Sequence, residues 1–208
     1  MSAAADIEIR ENGGKTEVVD LESPMDFSLK HPLEHRWTLW YFESDKNLSW
    51  EESQKKITSF DTVEDFWSLY NHIKPASELK TGADYSLFKE GIRPMWEDPA
   101  NKHGGRWLIT FDKKQRNTNL VDRCWLAVLL CMIGETFDNT DEICGAVVNA
   151  RYRADKVGVW TAHRTNTDVV LDIGRKLKEK LPISDHAVLN YESHEDISMR
   201  NCKVLYSI

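Results

Sequence analysis

Two adjacent stretches of alternating side chains constrain the fold of this chain more than any other feature. Residues 145–153 and 156–160 each have the pattern of a β-strand, and Ala154 and Asp155 between them fit a two-residue hairpin turn. Successive side chains of a strand point to opposite faces, so one face carries small and branched apolar residues and the other does not. The pattern therefore predicts an antiparallel sheet with one face in the core and one face open.

The open face of this hairpin has a composition that a solvated surface seldom has. In the predicted register Arg153 lies opposite Lys156, Asn149 lies opposite Trp160, and Arg151 shares their face. A run of charges is most often a plain solvated face, and that alternative stays open. The tryptophan among the cations favours a binding surface for phosphates.

Other stretches predict further strands and three helices. Strands are predicted at residues 37–42, 84–88, 106–111, 186–191 and 203–206 from aromatic-rich or alternating sequence. Helices are predicted from an N-cap at Asp61 to about Ile73, at about residues 119–133, and from about Thr167 to Leu181. Because the strands outnumber the helices and short turns join many of them, we expect an α+β fold, a mainly antiparallel sheet with its helices on one face.

The first two predicted helices have more apolar surface than one packed face needs. In the first, the apolar arc covers about 160° of the circumference, with Phe66 and Tyr70 in its middle and Val63 and Trp67 on one margin. In the second, residues 126–133 have no polar side chain except one thiol. This excess of apolar surface favours a partner-binding surface. The alternative is that the additional apolar residues form only the rim of the core.

Two tryptophans are predicted to lie in loops. Trp96 is bracketed by Pro94 and Pro99, which disfavour helix around them, and it precedes Glu97. Trp50 lies in the polar loop after the first strand. An indole on a loop offers a flat π face for stacking, and the neighbouring carboxylate offers an acceptor for N–H donors. A tryptophan that covers the edge of the sheet is the alternative.

Composition limits the class of protein. The 208 residues suffice for one domain, and residues 1–29 have few large apolar side chains, which predicts a flexible arm ahead of a domain at 30–208. No stretch has the apolar length of a signal peptide or membrane span, so we expect an intracellular, soluble protein. The four cysteines lack the paired spacing of a zinc site, and Cys124 and Cys131 are expected as buried thiols. The formal charge of −7 argues against a long polyanion as partner, so any nucleotide should be held locally.

These features together predict a site for a purine nucleotide. Two loop indoles can sandwich a base, and the sandwich gains cation–π attraction if the base is positively charged. A carboxylate beside them can accept two parallel N–H bonds from guanine, whereas adenine does not present two donors side by side. A guanine that is also cationic is one alkylated at N7.

Five sequence blocks closely resemble the eukaryotic translation initiation factor 4E family, whose members bind the cap of messenger RNA. The blocks are HPL at 31–33, SFDTVEDFW at 59–67, PMWED at 94–98, GGRW at 104–107 and CGAVVN at 144–149, and the resemblance extends from about His31 to Tyr191. It implies a curved eight-stranded antiparallel sheet with three helices on the convex face. The concave side would bind the 7-methylguanosine cap and its triphosphate.

The resemblance implies roles for individual residues. Trp50 and Trp96 correspond to the pair that stacks on the base, and Glu97 corresponds to the acceptor for the guanine edge. Trp160 corresponds to the contact with the N7 methyl group. The implied cap-binding set is completed by the phosphate ligands Arg151 and Lys156, by Arg106 and Arg153 close to them, and by Asn149.

The resemblance also implies two surfaces for partner proteins on the convex side. A dorsal site for the helical motif shared by initiation factor 4G and the 4E-binding repressor proteins comprises His31, Pro32, Val63, Trp67, Leu126 and Ala127. A lateral groove comprises Tyr41, Ile57, Leu69, Tyr70 and Ile73. Ala127 stands where the family commonly has an acidic residue, which removes a polar contact with the partner. Residues 194–208 also lack the family's usual Ser/Thr/Lys-rich loop.

The function implied by the resemblance is that of a non-enzymatic, cytoplasmic initiation factor, with nuclear and RNA-granule pools and without catalytic residue, cofactor or metal. A cap-cleaving phosphohydrolase is one alternative, and the sequence shows neither the carboxylate cluster nor the glycine-rich phosphate loop that it would need. A cap-binding repressor or a tissue-restricted variant is the other alternative. The departure at Ala127 keeps it open because it weakens the implied contact with the scaffold factor.

Overall fold

The computed structural model of the 208-residue chain describes residues 29–112, 114, 118–198 and 203–208. The arm predicted at residues 1–29 lies, apart from Leu29, outside this described part. His31–Ile208 forms one compact unit to which all elements below belong. No helix in the described ranges combines the length and the hydropathy that crossing a membrane requires.

In the part of the chain that the structure describes, eight strands form one curved, open sheet in which every neighbouring pair is antiparallel. Their spatial order is β2-β1-β3-β5-β6-β4-β7-β8. The strands are β1 (Pro32–Glu43), β2 (Gln54–Thr62), β3 (Ala83–Lys89), β4 (Gly105–Asp112), β5 (Ile143–Asn149), β6 (Ala154–Thr161), β7 (Asn190–Ser193) and β8 (Val204–Ser207). The predicted α+β class and the eight-stranded antiparallel sheet are confirmed.

Within the described residues, three long helices pack on the convex face of this sheet and share one core with it. They are α1 (Val63–His72), α2 (Leu120–Ile133) and α3 (Thr167–Lys180), and a five-residue helix, α4 (His194–Ser198), follows β7. Helix α3 is fixed closely on the sheet, because Trp107 Nε1 donates a hydrogen bond to the Val170 carbonyl at 2.8 Å. A Cβ added to Gly174 would lie 2.4 Å from the Trp107 ring, so the close approach depends on glycine. The three predicted helices are confirmed, whereas α4 was not predicted.

The N-cap of α1 is Thr62 and not the predicted Asp61. The Thr62 hydroxyl accepts a hydrogen bond from the Asp65 backbone N–H at 3.2 Å, and the Thr62 backbone is extended. Asp61 lies in β2 and its carboxylate accepts from Arg36 Nη1 at 3.3 Å. The prediction was wrong by one residue because β2 continues to Thr62, which pairs with Pro32 at the start of β1.

The turn between β5 and β6 is longer than predicted. Residues 150–153 make the connection, whereas Ala154 and Asp155, predicted to be the turn, lie in β6. The buried Asp155 carboxylate accepts a hydrogen bond from the Arg151 backbone N–H at 2.9 Å, which stabilises the wider loop.

The register of this hairpin also differs from the prediction. Asn149 pairs with Lys156 and not with Trp160, a shift of four residues. Because the shift is an even number, the residues that lie in β5 and β6 keep their predicted faces. The polar face of the hairpin was therefore predicted correctly, although the cross-strand residue pairs on it differ from the predicted ones. Tyr152, which alternation placed on the core face, instead lies in the turn, is exposed and lines the cavity described below.

The strand predicted at residues 186–191 is displaced toward the C-terminus. Before it, the Ala187 backbone N–H donates to the Ser184 carbonyl at 2.8 Å and closes a turn. Strand β7 begins only at Asn190, after Leu189 has exchanged two backbone hydrogen bonds with Ile208. The alternating residues before Asn190, which suggested a strand, therefore form a turn and the short segment that follows it.

Candidate functional site

A cavity of about 750 Å³ lies on the sheet face opposite α1, α2 and α3. Val147 and Asn149 of β5 line it, whereas Ala146 and Val148, which alternate with them, belong to the core under the helices. Among the predicted cap-binding residues, all except Glu97 line this cavity: Trp50, Trp96, Arg106, Asn149, Arg151, Arg153, Lys156 and Trp160. The fold thus brings together residues that are up to 110 positions apart in the sequence (Trp50 and Trp160).

The loop that carries Trp96 is held by an internal hydrogen-bond network. Fully buried Asn101 donates from Nδ2 to the carbonyls of Arg93 at 2.9 Å and Met95 at 2.8 Å. Asp98 Oδ2 accepts from the Arg93 backbone N–H at 3.0 Å. Trp96 itself is 41% exposed, so its indole is presented on a fixed loop and does not fill the core.

The loop that carries Trp50 has a hydrogen-bonded turn of its own. The Glu52 carboxylate accepts from the Ser49 backbone N–H at 2.9 Å and from its hydroxyl at 2.7 Å, and the Ser49 hydroxyl accepts from the Glu52 backbone N–H. These bonds from Ser49 lower the pKa of Glu52. Trp50 is 49% exposed and one side of its ring contacts Phe42, with ring centroids 5.8 Å apart.

The floor of the cavity contains the buried ring of Trp160. It contacts Phe88 edge-on, with centroids 5.4 Å apart. The residue between them in the sheet is Gly145, which pairs with Phe88 on one side and with Trp160 on the other. A Cβ at this position would lie 2.4 Å from Phe88 Cγ, so the absence of a side chain lets the two rings meet.

Buried His194 also packs against Trp160, with ring centroids 4.2 Å apart. Its Nδ1 is 2.9 Å from the Asn101 carbonyl oxygen, which can only accept, so Nδ1 carries the hydrogen. Burial lowers the pKa of His194 to about 4, against the opposing effect of that hydrogen bond, and the nearby Arg106 lowers it further. The imidazole is therefore neutral at pH 7.

Two of the predicted arginines are neutralised by acidic partners. Arg151 makes two hydrogen bonds with Asp84, one of them from Nη2 to Oδ2 at 2.9 Å. Arg106 Nη2 donates to Glu192 Oε2 at 3.0 Å, and both of these side chains are mostly buried. Such pairs fix the positions of the guanidinium groups and leave part of their donor capacity for a ligand.

The side chains of Arg153 and Lys156, in contrast, have no hydrogen-bond or ion-pair partner within the described part of the chain. They lie in the turn between β5 and β6 and at the start of β6. The uncompensated positive charge of the cavity lining is therefore found at the hairpin end, where an anionic group of a ligand would be attracted.

Glu97 differs from the other predicted cap-binding residues. It is exposed, it does not line the cavity, and its carboxylate has no partner among the residues described. The carboxylate is thus free to accept hydrogen bonds. Its role as the acceptor for a base edge stays a prediction.

The residues of the predicted dorsal site form a partly exposed apolar surface. Trp67 is 37% exposed, and Leu126 and Ala127 are half-buried. The His31 ring and backbone N–H both contact the Glu64 carboxylate, at 2.6 and 2.9 Å, and these bonds lower the pKa of Glu64 to about 2. They attach the start of β1 to the first turn of α1.

A second cavity of about 440 Å³ lies between the end of α1 and the start of α2. Tyr70 and Ile73, both predicted for the lateral groove, line it together with Leu126 of the predicted dorsal site. The connection between its walls is fixed by Ser77, which donates from its backbone N–H and its hydroxyl to Asp122 at 2.8 and 2.6 Å. The two predicted partner surfaces therefore meet in one groove. Of the other lateral residues, Tyr41 and Leu69 are half-buried and Ile57 is exposed.

Several residues of these surfaces were missed by the sequence reasoning. The cavity is also lined by Phe42, Gln54, Asp84, Ser86, Val147 and His194. The alternation of side chains along β3 could have found Asp84 and Ser86. Asp84 pairs with Asn149 on the cavity face, and Ser86, two residues further along the strand, lies on the same face. Exposed Leu130 was missed on α2, although it lies one helical turn after Leu126.

No group of three or more His, Cys, Asp or Glu side chains with the arrangement of a metal site occurs in the described ranges. Cys124 and Cys131 are buried free thiols, as predicted, and Cys144 is also buried and free. Burial raises the pKa of Cys124 and of Cys144 to about 12. The arrangement as a whole suits binding: aromatic faces at the rim, a closely packed floor and free cations at one end.

Comparisons with known proteins agree with this arrangement. The family model described as "Eukaryotic initiation factor 4E" matches residues 32–204. The eukaryotic translation initiation factor 4E1 of Drosophila melanogaster is 54% identical over 182 residues, which cover 86% of this chain and 70% of the relative.

Two solved structures are similar over an equal share of the chain. A complex of Caenorhabditis elegans eIF4E-3 with the 4E-binding protein Mextli and a cap analog has a TM-score of 0.80 and 51% identity, and it covers 86% of this chain and 100% of that one. A complex of Ascaris suum eIF4E-3 with the m7G cap has a TM-score of 0.82 and 50% identity, with 86% and 98% covered. On the family match and these identities, the chain belongs to the eukaryotic initiation factor 4E family.

Proposed function

We propose that this protein binds the 7-methylguanosine cap of messenger RNA in the 750 Å³ cavity and recruits the scaffold factor 4G through its convex face, as a non-enzymatic, cytoplasmic initiation factor. The observation that carries the proposal is the meeting of two half-exposed indoles, Trp50 and Trp96, from separate loops at the rim of a cavity with free cations. The cap complexes of the relatives from C. elegans and A. suum support it.

The proposed binding mode assigns the base to the indoles. Stacking on an aromatic ring contributes about 1–3 kcal/mol per base, and a positively charged base adds about 1–2 kcal/mol of cation–π attraction for each desolvated face. Trp160 in the floor would contact the N7 methyl group, and Arg153 and Lys156 would attract the phosphates. Arg106, Asn149 and Arg151 complete the proposed site.

Preference for the methylated base is the direct test of this proposal. Two cation–π faces predict that the methylated nucleotide m7GTP binds roughly ten- to a thousand-fold tighter than GTP. Titration followed by tryptophan fluorescence gives both dissociation constants. Trp50→Ala and Trp96→Ala should each remove most of the preference, whereas Trp67→Ala, a similarly exposed indole on the convex face, should leave it unchanged. Equal affinity of the protein for m7GTP and GTP would refute the proposal.

The role of Glu97 is tested by its amide variant. A carboxylate that accepts two N–H bonds from guanine should be worth more than an amide that offers one acceptor, so Glu97→Gln should weaken m7GTP binding without changing the thermal unfolding midpoint. Unchanged affinity in this variant would remove Glu97 from the site and leave the stacking role of the indoles intact.

Partner binding is proposed for the groove between α1 and α2 and the apolar surface next to it. The surface offers Trp67 and Leu130 to an amphipathic helix, the form in which such apolar grooves are usually occupied. Trp67→Ala should abolish the retention of factor 4G and of 4E-binding repressor proteins on a cap resin and should leave cap binding unchanged. Loss of cap binding in the same variant would contradict the separation of the two surfaces.

A cap-binding repressor or tissue-restricted variant is the second candidate, and Ala127 favours it. The methyl group of Ala127 is half-buried at the edge of the partner surface and offers no polar contact. If the protein has this function, the cap resin should retain it without the scaffold factor, and Ala127→Glu should restore retention of the scaffold. Strong retention of factor 4G by the unmodified protein would exclude this candidate.

A further inference from the structure

We propose that an ion pair between Glu51 and Arg93 fastens the two indole-bearing loops to each other and sets the separation of Trp50 and Trp96 before any ligand binds. The inference rests on the cap-binding function proposed above and adds two positioning residues to it. Arg93 Nη2 donates to Glu51 Oε1 across 42 residues of sequence. Glu51 follows Trp50 directly, and Arg93 precedes Trp96 by three residues.

The two loops differ in how firmly the rest of the fold holds them. The Arg93 end of the pair is fixed, because Asn101 Nδ2 donates to the Arg93 carbonyl and Asp98 accepts from the Arg93 backbone N–H. The hydrogen bonds of the Trp50 loop that Ser49 and Glu52 make stay within that loop. The ion pair therefore transmits a fixed position from the Trp96 loop to the Trp50 loop.

The space between the two loops is narrow beneath the ion pair. A cavity of only about 20 Å³ is lined there by residues of both loops and of the strands next to them: Trp40, Trp50, Glu51, Gln54, Arg93, Pro94 and Met95. Removal of the ion pair would leave the ring contact between Trp50 and Phe42 to position the Trp50 loop.

Neither Glu51 nor Arg93 lines the large cavity, and, unlike Glu97, each already has the other as its partner, so the proposal gives neither of them a contact with the nucleotide. Their effect on binding must pass through the indoles next to them. If the loops separate in part of the free molecules, the observed dissociation constant rises in inverse proportion to the competent fraction. An interaction that keeps the loops together thus raises affinity without a contact to the ligand.

The size of the effect follows from the exposure of the pair. The Glu51 side chain is 58% exposed and the Arg93 side chain is 49% exposed. Exposed ion pairs of this kind change an equilibrium constant by about five-fold at most. Water and salt screen such pairs, so the effect should become smaller at about 1 M salt, where the Debye length is about 3 Å.

The test is a double-mutant cycle on m7GTP affinity at about 0.05 M and at about 1 M salt. At low salt, Glu51→Gln and Arg93→Gln should each raise the dissociation constant about two- to five-fold, and the double variant should raise it no further than either single one. Arg93→Lys should retain much of the affinity, and the reversed pair made by Glu51→Arg with Arg93→Glu should recover it. All differences should be smaller at high salt, and the thermal unfolding midpoint should not change.

Asp61→Asn and Arg36→Gln are the matched controls. They remove one charge each from an ion pair with side chains 51% and 50% exposed, which joins β1 to β2 outside the cavity lining. Asp61→Asn removes this pair alone, whereas Arg36→Gln also removes the pair of Arg36 with Glu90. Neither should change the dissociation constant. Additive effects of Glu51→Gln and Arg93→Gln, or effects equal to those of the controls, would overturn the proposal.

Amide hydrogen exchange in the ligand-free protein separates this proposal from the function on which it rests. Glu51→Gln should speed exchange in residues 46–53 and leave residues 93–101 unchanged, because Asn101 and Asp98 hold the second loop without the ion pair. Unchanged exchange in both loops would refute the positioning role. A protein that does not distinguish m7GTP from GTP, yet shows the faster exchange, would refute only the cap-binding function.

Discussion

Acidification should destabilise this protein through His194 in particular. The imidazole is 2% exposed, and its pKa is lowered from 6.5 to about 4 because burial disfavours the charged form. The unfolded chain binds a proton at this position below pH 6.5, whereas the folded protein does so only below about pH 4. The contribution of His194 to the free energy of unfolding is therefore fully present above pH 6.5 and is lost as the pH decreases toward 4. Well below pH 4 this group causes no further loss.

The magnitude follows from the difference between the two pKa values. A lowering of the pKa from 6.5 to about 4, at about 1.4 kcal/mol per pH unit, gives a total loss of about 3.5 kcal/mol, of which about 3 kcal/mol falls between pH 7.5 and pH 4. For a domain of this size that is a large part of a typical free energy of unfolding of about 5–15 kcal/mol. Because the ring is buried, screening by solvent does not reduce the effect substantially.

The assay is urea unfolding at closely spaced pH values from 7.5 to 4, with His194→Asn as the comparison. The asparagine amide can donate to the Asn101 carbonyl, as Nδ1 of His194 does, but it does not titrate. The variant should be less stable than the wild type at pH 7.5, and the difference should shrink by about 3 kcal/mol toward pH 4. A difference that stays constant with pH, or an imidazole resonance that titrates near pH 6.5, would refute the argument.

Two further predictions concern local structure. Thr62→Ala should lower the free energy of unfolding by about 1 kcal/mol through loss of the α1 N-cap, whereas Asp61→Ala should change it by less than about 0.5 kcal/mol. Urea unfolding measures both values, and a larger loss in Asp61→Ala than in Thr62→Ala would show that Asp61 is the cap. Gly145→Ala should cost about 1–3 kcal/mol and should alter the near-UV circular dichroism of the cavity floor, because its Cβ would lie 2.4 Å from Phe88; an unchanged spectrum would show that the floor accommodates the methyl group.

The sequence predicted the faces of the central hairpin better than its pairing. Residues 149, 156 and 160 were placed on one face from alternation alone, and the observed shift of four residues preserves that face because the side-chain period of a strand is two. A shift of one residue would have exchanged the core and the cavity. The predicted turn was wrong because the buried carboxylate of Asp155 accepts a hydrogen bond from the Arg151 backbone N–H. The turn propensities of single residues do not include this contact.

The features that were missed depend on contacts between distant segments. His194 lies in a stretch without a clear pattern, and it reaches the cavity because β7 places it beside Trp160. The ion pair of Glu51 and Arg93 joins two loops whose sequences, taken separately, show only a polar turn and a proline-bracketed segment. Period and propensity describe one segment at a time, so pairs of this kind become visible only in the fold.

The distribution of charge in the cavity explains how a protein of net charge −7 can bind an anionic ligand. At separations beyond about 8 Å, physiological salt screens the overall negative field, so a small nucleotide is governed by the groups near it. There, Arg151 and Arg106 are already paired with Asp84 and Glu192, and they serve mainly as fixed donors. Arg153 and Lys156 supply the local positive charge. A long polyanion would meet the negative remainder of the surface as well, so the same protein favours a capped end over the body of a nucleic acid.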